Sequence, residues 1–264
     1  MIESFPTADM LIPAGTTFVL ISTRLAFLFL TMPVFSSNVL PRNIRGAIVA
    51  VLSLAVFFGL PFGAVTITNP TAMIIALLGE AAVGTAAGVA ARLVFAAVEA
   101  AGELIGVPMG MGFSQLIDPM SQSHSVVTAR LLSLIISMIF LAVDAHHVVI
   151  KLVTKSFQVL RPGHVVLATG TGTSLAKDAS LIFIGAVQLA APVLLVIMAS
   201  MFSLGILARA VPRVNLLVLS FAVSIILGLL TLRFAAFDIG GWMIGEVNRI
   251  EPLTLRTLDS FGSN

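Results

Sequence analysis

Four charged residues, Arg24, Glu80, Arg92 and Arg130, stand in stretches otherwise apolar enough to lie in a membrane. A charge at the bilayer centre costs about 2.5–3.5 kcal/mol on insertion scales, so such groups pair or face a polar interior. Two chemistries would use them. A secondary transporter would hold a small solute or a proton, with Glu80 and Arg92 near its site. A subunit of a larger assembly would use them for inter-helix or inter-subunit ion pairs, and the unequal lengths of the apolar segments favour that use. Asp144, His146 and His147 bring donor types suited to a metal or a proton relay. On a helix His146 and His147 point about 100° apart and do not share a face, whereas Asp144 and His147 do. No HExxH or comparable spacing accompanies them, and a polar helix end accounts for them without a metal. The chain has no phosphate-binding Gly-rich loop, no nucleophile elbow and no paired catalytic carboxylates, so neither enzymatic activity nor a cofactor is expected.

The elements that position these residues surround residues 107–123, Val-Pro-Met-Gly-Met-Gly-Phe-Ser-Gln-Leu-Ile-Asp-Pro-Met-Ser-Gln-Ser. Pro108, Gly110, Gly112 and Pro119 oppose helix propagation, while Ser114, Gln115 and Asp118 bring polar groups. Irregular backbone at membrane depth survives only where protein covers it or where it lines a watery cavity. Met109, Met111, Met120 and Phe113 give the stretch a soft apolar surface, because thioether chains adapt to irregular gaps. Two readings stand: a deformable plug in a passage, or a surface loop between two helices.

Composition sets the class. The chain has 264 residues, 58% of them hydrophobic and 10% charged, and its mean hydropathy is +1.12. Soluble domains are about 25% charged, so an all-α integral membrane protein is expected. The net charge of +2 and the absence of a basic run give no reason to expect nucleic-acid binding. With no cysteine there is no disulfide or thiolate chemistry. Residues 1–23 contain Glu3 and Asp9 but no Lys or Arg, so the first apolar stretch is not expected to be a cleaved signal.

About six apolar helical segments follow from the pattern: roughly 17–35, 46–60, 71–105, 125–160, 177–209 and 214–237, the last trailed by an amphipathic tail over 238–264 that reads as a short helix. Residues 1–16, with Pro6 and Pro13, read as an arm. The second segment, at 15 residues, would span only about 22 Å, short of a ~30 Å hydrocarbon core. The third is rich in Gly and Ala, and small residues let membrane helices approach closely. Its Gly84 and Gly88 match GxxxG, a packing motif with many chance occurrences. Pro192 is an expected kink in the fifth. Arg42 and Arg45, and Arg209 and Arg213, lie in short turns, where the positive-inside bias counts most. Six crossings would put both turns in the cytoplasm, but Lys151, Lys155 and Arg161 then fall outside. That conflict suggests that some helices do not lie fully in the bilayer.

Several stretches together resemble the FliR family of flagellar biosynthetic proteins, the counterpart of the T-type export-apparatus protein of injectisomes. They are Leu40-Pro41-Arg42-Asn43-Ile44-Arg45, Gly112-Phe113-Ser114 with Asp118-Pro119, Asp144-Ala145-His146-His147 with Ser156-Phe157 and Pro162-Gly163, and Ala208-Arg209-Ala210-Val211-Pro212-Arg213-Val214-Asn215. They spread over most of the chain in the family's order and spacing. Asp144-Ala145 stands where the family often has Asn-Gly, and Pro212-Arg213 where Pro-Gln is frequent. The resemblance implies a non-enzymatic subunit of the type III export gate in the bacterial inner membrane, at the flagellar basal body. FliP and FliQ would be its partners in one hetero-oligomer built of long helical hairpins, with FlhB and FlhA joining on the cytoplasmic side. Residues 1–173 would be the FliP-like part and 174–264 the FliQ-like hairpin and tail. The bore would pass unfolded substrates, with membrane lipid around it. The plug would be the loop 107–123, carrying Met109, Gly110, Met111, Gly112, Phe113, Ser114, Asp118 and Met120. Arg42, Arg45, Arg209 and Arg213 would contact partners.

Overall fold

The computed structural model describes residues 8–36, 41–59, 65–112, 127–163, 171–210 and 215–262. Among them every regular element is a helix: α1 (Ala8–Thr31), α2 (Pro33–Ser36), α3 (Arg42–Gly59), α4 (Pro70–Gly106), α5 (Val127–Ala142), α6 (Ala145–Val159), α7 (Thr171–Ala210) and α8 (Leu216–Gly262). Five helices contain stretches long and apolar enough to cross a membrane, or six if α5 and α6 count as one broken span. At 1.5 Å per residue, the 37 residues of α4, 40 of α7 and 47 of α8 extend about 55, 60 and 70 Å. A hydrocarbon core is about 30 Å thick, so each of these helices is far longer than one perpendicular crossing.

Helix ends follow local chemistry. Asn69 caps α4 by accepting from the Thr71 amide at 3.1 Å, and Pro70 takes the first helical position, where a missing N–H is harmless. Asn215 likewise accepts from the Val218 amide at the start of α8, at 3.4 Å.

Five boundaries depart from expectation, among them the start of α7 at Thr171 rather than 177. Helix α1 begins at Ala8, inside the expected arm. Its Pro13 lies in the second turn, where the absent N–H forfeits a single ladder bond, and its carbonyl accepts from the Thr17 hydroxyl at 2.8 Å. Helix α3 begins at Arg42 rather than 46, and its 18 residues reach about 27 Å, close to a full crossing. The fourth segment breaks at Val143–Asp144, where Asp144 takes φ +56. Asp and Asn tolerate that left-handed backbone better than other side chains, a reason for either to occupy the position. Helix α8 continues through the expected tail to Gly262, with Pro252 inside it. Pro192 lies within α7, which is assigned as one helix.

The chain forms two compact units interleaved along the sequence. One comprises residues 1–92, 146–177 and 248–264; the other comprises 93–145 and 178–247. In the first, α1 buries Leu20, Ile21, Leu25 and Leu28, a stripe at helical spacing that Met32 continues just past the helix end. It meets α3 through an edge-on Phe18–Phe57 contact, ring centres 6.1 Å apart. The glycines of the GxxxG pair face α1. A Cβ on Gly84 would collide with the Arg24 backbone carbonyl, and one on Gly88 with Thr31 and the Leu28 carbonyl. Small residues here let the backbones touch. Gly84→Ala is therefore expected to destabilise by about 1–3 kcal/mol, because the colliding group is backbone and cannot rotate away. Gly46→Ala, with nothing within 4 Å, should instead be neutral or stabilise by up to about 1 kcal/mol. Thermal unfolding in detergent reads both, and equal midpoints for the two variants would contradict the close α1–α4 contact.

In the second unit, α4 contributes Val94, Phe95, Val98, Ala101 and Ile105 to the core, and α5 contributes Ala129, Leu132, Ile136 and Phe140. Phe95 and Phe140 pack with centres 5.4 Å apart. Ala186, Ala190, Val193 and Ile197 of α7 and Ile239, Met243 and Val247 of α8 complete that core.

Candidate functional site

Two features place the charged and loop residues singled out above. The first is the end of α4 in the second unit. The Met111 amide donates to the Gly106 carbonyl at 3.1 Å, and the Gly110 amide donates to the Val107 carbonyl at 3.0 Å. Gly110 takes φ +78. This nested pair of bonds around a left-handed glycine is a Schellman cap. The helical path therefore runs through Val107, Pro108 and Met109 before it terminates, and the first residues of 107–123 are a helix end rather than free loop.

Met109 is fully buried. It continues the stripe of Val98, Ala101 and Ile105 at helical spacing. Its side chain lies against α8 at Gly228, where an added Cβ would sit 2.7 Å from the Met109 sulfur and 3.0 Å from its Cγ. Gly110 lies beneath the Phe221 ring, 2.5 Å from where its own Cβ would be. Met109, grouped by sequence with the seal, is thus a core residue of this unit. Gly110, Met111 and Gly112 are partly exposed. Phe113, Ser114, Asp118 and Met120 lie outside the described residues.

The far side of the loop is held too. The Thr128 hydroxyl donates to the Gly102 carbonyl at 2.7 Å, and a Cβ on Gly102 would collide with the backbone of Ala129. The start of α5 is therefore in backbone contact with α4 at Gly102, about two turns before Met109. The Ser133 hydroxyl donates to Glu99 at 2.9 Å. Glu99, Glu103, Arg130 and Ser133, with small residues Ala96, Ala100 and Ala129, line a groove of about 430 Å³. Arg130 is exposed on the first turn of α5. The described residues on either side of 113–126 are thus fixed: Met109 and Gly110 on one side, Thr128 and Ala129 on the other.

The second feature is a buried ion pair in the first unit. Arg24 Nε donates to Glu80 Oε2 at 2.6 Å, and both side chains are almost wholly buried. Arg24 also donates to Ser156 Oγ at 3.3 Å and to the Leu160 carbonyl at 3.0 Å, and its guanidinium lies 4.1 Å from the centre of the Phe157 ring. The other oxygen of Glu80 accepts from the Gly163 amide at 2.9 Å, and Gly163 has φ +80. One network thus joins α1, α4, the end of α6 and the turn that follows. Charge-assisted bonds on both partners are what a buried pair needs to offset desolvation. Arg92 is not part of this network. It is exposed and lies twelve residues beyond Glu80 on α4, about 18 Å along the axis.

Among the other basic residues, Arg42 is exposed and Arg45 is partly exposed on the first turn of α3. Positive charge at a helix N-terminus opposes the macrodipole by a few tenths of a kcal/mol to about 1 kcal/mol, so helix stability does not account for them. Arg209 is exposed in the last turn of α7, where the dipole favours it. Arg213 lies outside the described residues. The His146 and His147 rings are 4.2 Å apart, closer than their 100° spacing suggests.

The sequence model of the family described as "Bacterial export proteins, family 1" matches residues 16–249. The chain is 30% identical over 209 residues to the flagellar biosynthetic protein FliR of Pectobacterium carotovorum subsp. carotovorum, covering 79% of this chain and 80% of that protein. It is 29% identical over 206 residues to FliR of Escherichia coli K12, covering 78% of each. With FliR of Bacillus subtilis 168 it is 28% identical over 217 residues, covering 79% of this chain and 81% of that one.

Proposed function

Since the chain belongs to bacterial export proteins, family 1, alongside the flagellar biosynthetic proteins FliR, we propose that it is a subunit of the flagellar type III export gate. In this reading it sits in the bacterial inner membrane with FliP and FliQ in one complex, and unfolded flagellar proteins pass through their common bore. In the same reading residues 1–173 are the FliP-like part and 174–264 the FliQ-like hairpin and tail. The loop after α4 plugs the closed bore. The observation that carries this reading is the loop's mounting: a Schellman cap and buried Met109 hold one end, and the Thr128–Gly102 contact holds the other. A plug must yield to a passing chain without unravelling the helices that carry it, and this mounting meets that requirement. Met111, Phe113 and Met120 would form the apolar closure, in the way hydrophobic constrictions block ions by excluding water.

A solute transporter centred on Glu80 finds no support in the geometry. Both carboxylate oxygens are engaged within the protein, and Arg92 lies away from them.

In this reading the basic residues Arg42, Arg45, Arg209 and Arg213 face cytoplasmic partners such as FlhB and FlhA. Arg209→Glu combined with Arg213→Glu is expected to lower export of a flagellar reporter substrate several-fold while the chain accumulates normally. The helix-end cost of the change at Arg209 is only about 0.3–1 kcal/mol, too small to remove the protein. Unchanged export in this variant would show that the turn contacts no partner. Failure of the unaltered chain to restore export in a strain lacking it would contradict the function itself.

A further inference from the structure

We infer that the seam between α3 and α6 in the first unit binds one anionic membrane phospholipid, with an acyl chain in the seam and the phosphate at Arg45 and His146. The seam holds a slot of about 470 Å³, within the range of about 300–1,000 Å³ common to ligand clefts. Ile44, Ala47, Ile48, Val51 and Leu52 line it from α3, and their spacings of three and four make them one helix face. Val149 and Ile150 of α6 and the edge-on pair Phe29–Phe35, ring centres 4.7 Å apart, complete the apolar lining. A narrower pocket of about 20 Å³ shares Leu52 and Val149 with the slot and extends to Val56 and Val153. From Ile44 to Val56 the apolar path follows α3 for about 18 Å.

One end of this path is polar. As α3 runs from residue 44 to 56, the α6 residues beside it run from 146 to 154, so both helices begin at the same end. His146 is the one polar residue lining the slot. Arg45, partly exposed, stands at the edge of the α3 face, one turn before Ile48. The positive ends of two helix dipoles add to these groups. Arg45 opposes the dipole of its own helix, and an anion held at this end accounts for it. Arg42 falls on the other side of α3 and is left for protein partners. A charged head in line with a long apolar path is the shape of a phospholipid. The slot is also open to its surroundings: α3 buries only Ser53 and Val56, while Val51 is 64% exposed. Around a chain with five or six apolar helices of membrane length, those surroundings include lipid. Lipid tails are as apolar as the slot, so the tail brings no preference of its own. Selectivity comes from the basic mouth, as it does where basic pockets between membrane helices take anionic headgroups.

The test uses the full chain in the complex it is extracted with, reconstituted in vesicles of phosphatidylethanolamine. A trace of phosphatidylglycerol carries a photo-reactive group in its acyl chain, and mass spectrometry of peptides maps where it attaches after illumination. Attachment is expected at residues 44–52 and 149–150, and about five-fold weaker there when the same chain is carried by phosphatidylethanolamine. Arg45→Gln should lower attachment by phosphatidylglycerol to the phosphatidylethanolamine level. Arg233→Gln, at an exposed arginine of α8, should leave it unchanged. Ala47→Trp, at an exposed position of the lining, should exclude the chain from the slot, and if it hinders assembly the Arg45→Gln comparison decides alone. Equal attachment by the two lipids, or indifference to Arg45→Gln, would overturn the site. Slot peptides free of lipid in the unaltered complex would also overturn it, in favour of a protein surface over the slot. The export-gate reading fails separately, on the composition of the particle, and the lipid result stands in either case.

Discussion

Replacing residues 111–120 with a Gly/Ser linker of equal length is expected to leave the chain in its complex and the membrane permeable to ions. The physical reason is division of labour along the loop. Beyond Gly110 the α4 cap needs only the backbone amide of residue 111, which Gly or Ser supplies equally, and the contacts with α8 are made by Met109 and Gly110, so a change starting at 111 is expected to keep both. The same change removes Met111, Phe113 and Met120, together with Leu116 and Ile117, large apolar side chains able to exclude water from a narrow bore. A Gly/Ser chain is flexible and solvated and cannot replace that barrier. Proton or small-ion flux across vesicles bearing the complex measures the outcome. A leak several-fold above the unaltered complex is the expected value. A membrane as tight as before, with the complex shown to be assembled, would remove the plug from the account while leaving membership of the export family untouched.

The second large effect concerns folding. Glu80→Leu or Arg24→Met alone is expected to cost about 3–5 kcal/mol, because each leaves an uncompensated charge in a buried site. Total stabilities are about 5–15 kcal/mol, so either single variant should accumulate poorly or melt many degrees lower. The pair Arg24→Met with Glu80→Leu should recover much of that loss, since two apolar groups of similar volume need no partner. The recovery will be incomplete, because the Gly163 amide and the Leu160 carbonyl lose the groups they bond. Measuring thermal midpoints of all four proteins closes a double-mutant cycle. Additive effects of the two changes would contradict a direct buried pair.

This ion pair also shows what could be read in advance. The expense of Arg24 and Glu80 in apolar surroundings is visible in the sequence. Their partnership is not, because 56 residues separate them and nothing local links the two. The same holds for Gly84 and Gly88: the motif is legible, but α1 as the surface it meets is a tertiary fact. Helical class and number followed from composition and apolar run length. Boundaries failed where one residue type serves two purposes. Pro13 reads as a breaker but sits early enough in α1 to be tolerated, and the amphipathic stretch after 238, read as a short helix of its own, is the continuation of α8, with Pro252 inside it.

Met109 is the most instructive case. A glycine that caps a helix and a glycine that frees a loop look identical in sequence, so the segment after Ile105 read as irregular from Val107 onward. The stripe Val98, Ala101, Ile105, Met109 carried the opposing signal, since spacings of three and four place Met109 on the buried face. Its seat at Gly228, 119 residues further along the chain, could not have been found that way. The interleaving of the two units has the same origin. Helices α4, α7 and α8 each contribute to both units, and no shift in composition marks residues 92, 177 or 247.

The central claim is that this chain works as one subunit of a hetero-oligomeric export gate, and composition of the native particle tests it most directly. The tagged chain would be extracted gently from its own host's membrane and weighed by native mass spectrometry. The account predicts a particle in which this chain is bound to several copies of other small helical membrane proteins, with masses matching the host's FliP and FliQ. A chain that emerges alone, or as a simple homodimer, under conditions that preserve other membrane complexes from the same cells, would contradict it.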